Sequence, residues 1–182
     1  MQSHAEGNHT IASGVNSHAE GYGGTFKINN VSYTSEAKGM ADHTEGYQTR
    51  TESGHPGNHA EGYQTAAIGG ASHAEGNITT ASGTHSHAEG CGTTASGMAS
   101  HAEGGGTTAS GDSSHAEGGG TTASGDYSHT EGSGTTASGN YSHAEGSGTI
   151  ALGHYSHAEG SSNNFSSKTI NGQTYTKPGA YG

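Results

Sequence analysis

A pentapeptide of the form Ser-His-Ala-Glu-Gly returns at a fixed interval along most of this 182-residue chain. Its histidine stands at positions 4, 18, 43, 59, 73, 87, 101, 115, 129, 143 and 157, and from His59 to His157 every step is 14 residues. Six residues after most of these histidines a second pentapeptide begins, as in Thr107-Thr108-Ala109-Ser110-Gly111. One unit is therefore two strand-sized segments joined by two-residue links. A sustained period of this length marks a repeat architecture in which each unit is stabilised by its neighbours.

Each pentapeptide obeys a period of two. Positions 1, 3 and 5 are small, as in Ser100, Ala102 and Gly104, while positions 2 and 4 carry the distinctive groups, as in His101 and Glu103. Such alternation assigns the small residues to one face of a strand and the others to the opposite face. A helix is disfavoured, because glycine recurs every few residues and Ser and Thr are poor helix formers. The spacing predicts an all-β coil with two short strands per turn, each strand stacked on its counterpart in the next coil. At about 4.8 Å per strand, eleven coils make a rod of roughly 50 Å.

Composition fits that solution and excludes others. Only 26% of residues are hydrophobic, with 35 Gly and no Trp, against roughly 45–50% apolar in an ordinary globular domain. A conventional core is excluded, and without the repeat these numbers would read as disorder. No apolar run approaches the roughly 20 residues of a membrane span, so no membrane insertion is expected. The chain opens Met1-Gln2-Ser3-His4-Ala5-Glu6, already within the repeat rather than in a secretion signal. A formal charge of -11 argues against nucleic acid as a partner. Cys91 is alone and sits between glycines, which excludes a disulfide framework within the chain and reads as a structural filler.

The 14-residue unit resembles the head repeat of trimeric autotransporter adhesins, the YadA-like left-handed parallel β-roll. The likeness rests on the Ser-x-Ala-x-Gly and Thr-x-Ala-x-Gly strands at this spacing and covers roughly residues 2–160. Similar repeats occur in tail-fibre and appendage proteins of phages and prophages, which the Ser-His-Ala-Glu-Gly variant looks most like. The resemblance implies a homotrimer in which positions 2 and 4 of the first strand face the threefold axis. Those positions are usually apolar in that family, whereas here they are His and Glu in every copy. The resemblance further implies an extracellular setting, on a phage virion tail or a bacterial cell surface.

The candidate site is accordingly a ladder of His4, Glu6, His18, Glu20, His43, Glu45, His59, Glu61, His73, Glu75, His87, Glu89, His101, Glu103, His115, Glu117, His129, Glu131, His143, Glu145, His157 and Glu159. Neutral imidazole offers one donor and one acceptor, and a carboxylate accepts only. Interchain His–Glu hydrogen bonds could then satisfy both groups and fix the register, which makes the ladder a polar structural seam. A sharper reading is a transition metal or other ion on the trimer axis, since His-x-Glu supplies mixed nitrogen and oxygen ligands. No resident cofactor is otherwise expected. Catalysis is disfavoured, because repetition along a rod is the opposite of one preorganised pocket, and no catalytic residue is assigned.

Two insertions break the period. Residues 22–34 contain an 11-residue excess that reads as a β-hairpin with an Asn29-Asn30 turn, and 161–182 repeats the design around Asn171-Gly172. The domain organisation is thus a β-roll over 1–160 and a C-terminal hairpin segment over 161–182. A smaller break at Gly54-His55-Pro56-Gly57 adds two residues at a turn. Insertions in a solenoid often carry its contacts, whether as clamps between chains or as receptor sites. Candidate receptor contacts are Phe26 and Tyr33, Tyr175, and the turn residues Tyr127, Tyr141 and Tyr155, which recur at one position and should stack. Rings of this kind suit a cell-surface glycan or protein receptor, or else shield the edge of the roll.

Three function classes follow. The first is a non-enzymatic fibre or adhesin module that presents receptor-binding surfaces on a rigid trimeric rod. The second is a filament-forming or metal-stabilised solenoid, since exposed terminal coils invite end-to-end stacking; a chain that begins inside a repeat also reads as part of a longer polypeptide. The third is ice binding by the row Thr80, Thr94, Thr108, Thr122 and Thr136, although Ile11, Arg50, Glu52, Ile150 and Leu152 interrupt that face toward both ends.

Overall fold

The computed structural model describes residues 2–23, 26–28, 31–33, 35–52, 54–161, 167–170 and 173–176. The fold is an all-β solenoid of 14-residue coils built from two parallel sheets. One sheet has 11 strands, running from His4–Asn8 to His157–Ala158, and each begins with the repeat histidine. The other has 10 strands, from Thr10–Ala12 to Ile150–Ala151, drawn from the second pentapeptide. Every coil contributes one strand to each sheet in turn, and the register is an identity: His87 pairs with His101, Ala88 with Ala102 and Glu89 with Glu103, while Thr94 pairs with Thr108.

Between the sheets lies a core of alanine. Ala102, Ala109, Ala116 and Ala123 have no solvent exposure and belong to one continuous column with their counterparts from Ala60 onward. Thr107 and Ser100 complete the interior of each coil. The serine at position 1 is not merely small. Its hydroxyl donates to the carbonyl of the glycine three residues earlier, at 2.7 Å from Ser100 to Gly97 and 2.6 Å from Ser114 to Gly111, closing the turn with a side-chain bond. Asp42 and Asn58 occupy the same position and do the task differently. Asp42 accepts the N–H groups of Gly39 and Asn58 at 2.8 and 2.9 Å, and Asn58 donates to the carbonyl of His55.

Position 5 departs from the expected inward face. Gly104 is exposed, with φ +103°, and a Cβ there would lie 2.2 Å from the carbonyl oxygen of Gly118. The chain bends out of the strand at this residue, and only glycine accepts both the dihedral and the approach of the next coil. Gly111, at position 5 of the second strand, is buried as expected, and a Cβ would meet the Gly125 oxygen at 2.0 Å.

The insertions leave the coil intact. Phe26–Ile28 and Val31–Tyr33 pair antiparallel, and Ser35–Ala37 resumes the ladder beside Thr10–Ala12. Ser167–Ile170 and Gln173–Thr176 form the second antiparallel hairpin. The two expected turns, Asn29-Asn30 and Asn171-Gly172, lie outside the described residues. At the smaller break the ladder continues through Gly57 N–H to the Met40 carbonyl at 3.0 Å.

The two glycine environments give a test. Gly111→Ala should destabilise the protein by at least about 2 kcal/mol, the scale of a core overpacking change. Gly105→Ala, where a Cβ meets nothing within 4 Å, should be nearly neutral in a denaturant titration. Equal effects would mean that the coils are not packed at this separation.

Candidate functional site

The alternation that sends alanine inward turns His and Glu outward onto one face of the first sheet. His4, His18, His43, His59, His73, His87, His101, His115, His129, His143 and His157 form a single column whose adjacent rings lie 4.7 to 5.0 Å apart. Glu6, Glu20, Glu45, Glu61, Glu75, Glu89 and Glu103 stand in register beside them, and Glu117, Glu131, Glu145 and Glu159 continue the repeat. The structure thus brings together every residue of the expected ladder.

Each imidazole has two carboxylates to choose from. His43 and His59 reach the glutamate of their own coil, with Nε2 to Oε2 distances of 3.8 Å to Glu45 and 3.6 Å to Glu61. His101 and His115 turn to the preceding coil, at 3.9 Å to Glu89 and 3.2 Å to Glu103. Only the His115–Glu103 contact is a hydrogen bond. The Nε2 atoms of His18, His43, His59, His73, His87, His101, His129 and His143 are shielded from solvent and have no hydrogen-bond partner. The stacking of one ring on the next covers these nitrogens while leaving the face as a whole half-exposed.

That packing sets the proton affinities. Desolvation, then repulsion from neighbouring imidazoles, holds His59, His73, His101 and His129 below the ordinary value of 6.5. Carboxylates one coil apart interact, and the proton affinities of neighbouring members diverge. Glu89 and Glu117 are raised by hydrogen bonding to Glu75 and Glu131 respectively. Glu103 and Glu131 are lowered by hydrogen bonding to Glu89 and Glu145 respectively. Divergence of this kind is what closely spaced like charges produce, since each ionised carboxylate disfavours ionisation of its neighbour.

The turns form further columns. Tyr127, Tyr141 and Tyr155 stack at 5.0 Å with planes within 3°, and Tyr22, Tyr47 and Tyr63 on the other link stack at 5.3 and 4.9 Å with planes within 4°. Tyr127, Tyr141 and Tyr155 all have φ of 57 to 59°, and each N–H donates to a carbonyl one coil earlier, which offsets the cost of that conformation. Tyr141 is stacked on both sides and Tyr127 on one, yet both remain exposed. A broad open ring face remains at Tyr155, which is 78% exposed. The side chains of Phe26, Tyr33 and Tyr175 lie outside the described residues.

Two clusters escaped the sequence reading. Asp112, Asp126, Asn140 and His154 form a side-chain ladder in which each accepts the backbone N–H of the coil before, at 2.9 to 3.2 Å. Their 14-residue spacing was the available sign. On the outer face of the second sheet, Lys38 lies between Glu36 and Glu52, at 3.7 and 3.5 Å, and Arg50 reaches Glu52 at 2.7 Å. This network occupies one end of the threonine face, and exposed Ile150 and Leu152 the other, with Thr80, Thr94, Thr108, Thr122 and Thr136 in register between them.

Residues 5–25 and 131–156 match the family model described as the YadA head domain repeat. The repeat is YadA-like. Its two matched segments fall near opposite ends of the described roll, and the coils between them keep the same pairing and the same columns. No curated protein matches the chain. The YadA head repeat suggests an adhesin-like structural module, and among the described residues the roll carries a continuous polar His–Glu face along its first sheet.

A pH prediction follows. A histidine held neutral binds its proton more weakly when folded than when unfolded, so stability is unchanged above the unfolded value of about 6.5 and falls as the pH drops through it. The raised Glu89 and Glu117 oppose that loss at lower pH, in the carboxylate range, and the lowered Glu103 and Glu131 add to it. The melting temperature followed by circular dichroism should therefore decline from pH 7.5 to 5.5. A flat or rising profile would contradict the packing of the histidine column.

Proposed function

We propose that the protein is a non-enzymatic rod module of an extracellular fibre, on a phage tail or a bacterial surface, and that three copies associate through the His–Glu face. The observation that carries this reading is the state of that face in a single chain. Eight imidazole nitrogens are shielded from water without a partner, on a straight surface that repeats at one coil spacing. Buried polar groups are normally paired. A second and third copy in the same register supply carboxylates and imidazoles to those nitrogens at every rung.

The YadA-like repeat supports the same arrangement, since the corresponding strand faces the threefold axis in that family. Polar pairing across an axis is a poor source of stability compared with apolar packing, but it defines register sharply. A trimer built this way is held by many weak rungs and has one alignment in which all are satisfied. Its role is to project and present. The surfaces left for a receptor are the two hairpins and the Tyr155 end of the tyrosine column, where a glycan or protein could meet an open ring.

Sedimentation equilibrium at pH 7.5 should give three times the mass of the 18.0 kDa chain. Replacing His101 and His115 by Ala should loosen the trimer, raising its dissociation constant by roughly tenfold or more if about 1.4 kcal/mol is lost. A monomer at neutral pH, or a trimer indifferent to both substitutions, would remove the His–Glu face as the contact.

A further inference from the structure

The His–Glu face has a second capacity that does not depend on how many chains associate. His101, Glu103 and His115 each offer a ligand atom, and these three atoms lie within 4.8 Å of one another. The same arrangement recurs at His115, Glu117 and His129 and at His143, Glu145 and His157. We infer that this face binds first-row transition cations of the Zn2+ class, each held by two imidazoles of adjacent coils and the carboxylate between them.

The geometry carries the argument in three steps. His101 and His115 are stacked at 4.8 Å with planes within 3°, so their free nitrogens point the same way. Glu103 already contacts His115 at 3.2 Å, and the Nε2 of His101 is shielded from solvent and makes no hydrogen bond. Coordination of one ion requires the two rings to tilt toward it from this parallel stack. The donor set then selects the cation: imidazole nitrogen with carboxylate oxygen suits zinc, copper and nickel, whereas calcium and magnesium take oxygen sets. Toward the N-terminus the sets change to one imidazole with two carboxylates, as in Glu6, His18 and Glu20, and these are weaker sites for the same ions.

The repeat also limits the occupancy. A neutral imidazole has one free lone pair, because its other nitrogen carries the proton. His115 belongs to two overlapping sets and can serve only one ion. Filled sites must therefore alternate with empty ones. The eight histidines from His59 to His157, taken two per ion, hold at most four ions per chain.

The test is equilibrium dialysis of the full, metal-stripped chain against Zn2+ at pH 7.5, with Mg2+ as the comparison and bound metal read by elemental analysis. Sedimentation of the same samples separates this inference from the trimer, since either result can hold without the other. The expected result is zinc retained well above magnesium, saturating in the regular stretch at one ion per two coils. A variant carrying His73→Gln, His101→Gln, His129→Gln and His157→Gln should lose most of that binding. Retention equal to magnesium, one ion per coil, or unchanged binding in the variant would each overturn the inference. If the variant does not fold, the copper-loaded natural chain decides by electron paramagnetic resonance: coupling to two imidazole nitrogens sustains the site, and its absence removes it.

Discussion

Everything in this molecule depends on one repeated contact, the parallel backbone ladder that joins each coil to the next in identical register. The ladder fixes the separation of neighbouring coils near the ordinary strand spacing of about 4.8 Å. Because the sequence period equals one coil, every residue then stands directly above its own counterpart. Alanine meets alanine inside, and glycine meets glycine where the backbones close to within a Cβ of each other. The thinness of the interior is a consequence: among the described residues no side chain larger than threonine is fully buried apart from Asn58. Stability is spread evenly along the axis instead of being concentrated in a core.

The same rule creates the exterior, including its difficulties. Stacking identical groups is favourable for imidazole and phenol rings and unfavourable for carboxylates. In the glutamate column neighbouring carboxylates are pushed apart in proton affinity, Glu89 and Glu117 raised and Glu103 and Glu131 lowered. In the histidine column, desolvation and the neighbouring rings lower the proton affinity of His59, His73, His101 and His129. A face of this composition is poorly satisfied by water alone, and its shielded nitrogens call for a donor, an acceptor or a cation. Partner chains and metal ions are two answers to one electrostatic problem. The tyrosine columns illustrate the opposite case, where stacked rings need no partner of opposite charge and stay exposed along the turns.

The architecture was legible in the sequence because it is written in spacing. A 14-residue step with period-two alternation leaves little freedom in strand pairing, and the hairpins at 26–33 and 167–176 were legible from alternation around turn residues. What spacing could not convey was why particular small residues are used. Ser100 looks like a filler but is a clasp on Gly97. Gly104 looks like an inward residue but sits exposed at positive φ. Both depend on local geometry at the bend, which alternation does not describe. The ladder of Asp112, Asp126, Asn140 and His154 was hidden for another reason: chemically different side chains perform one backbone-accepting task, so the column does not look like a repeat. For the candidate site, the repeat spacing placed His and Glu in columns, and only the structure revealed that some imidazoles face the carboxylate of their own coil and others that of the coil before, so that Glu145 faces both His143 and His157.

The most direct test of the central claim is to shorten the rod by a whole coil and by a fraction of one. Deleting residues 101–114 removes 14 residues and should leave every remaining column aligned. Deleting residues 101–113 removes 13 and throws each later strand out of phase, exchanging inner and outer faces. Thermal unfolding followed by circular dichroism should give the first variant a transition close to that of the natural chain. The second should melt markedly lower or show no cooperative transition. Equal behaviour of the two variants would contradict a structure held together by in-register stacking of identical coils.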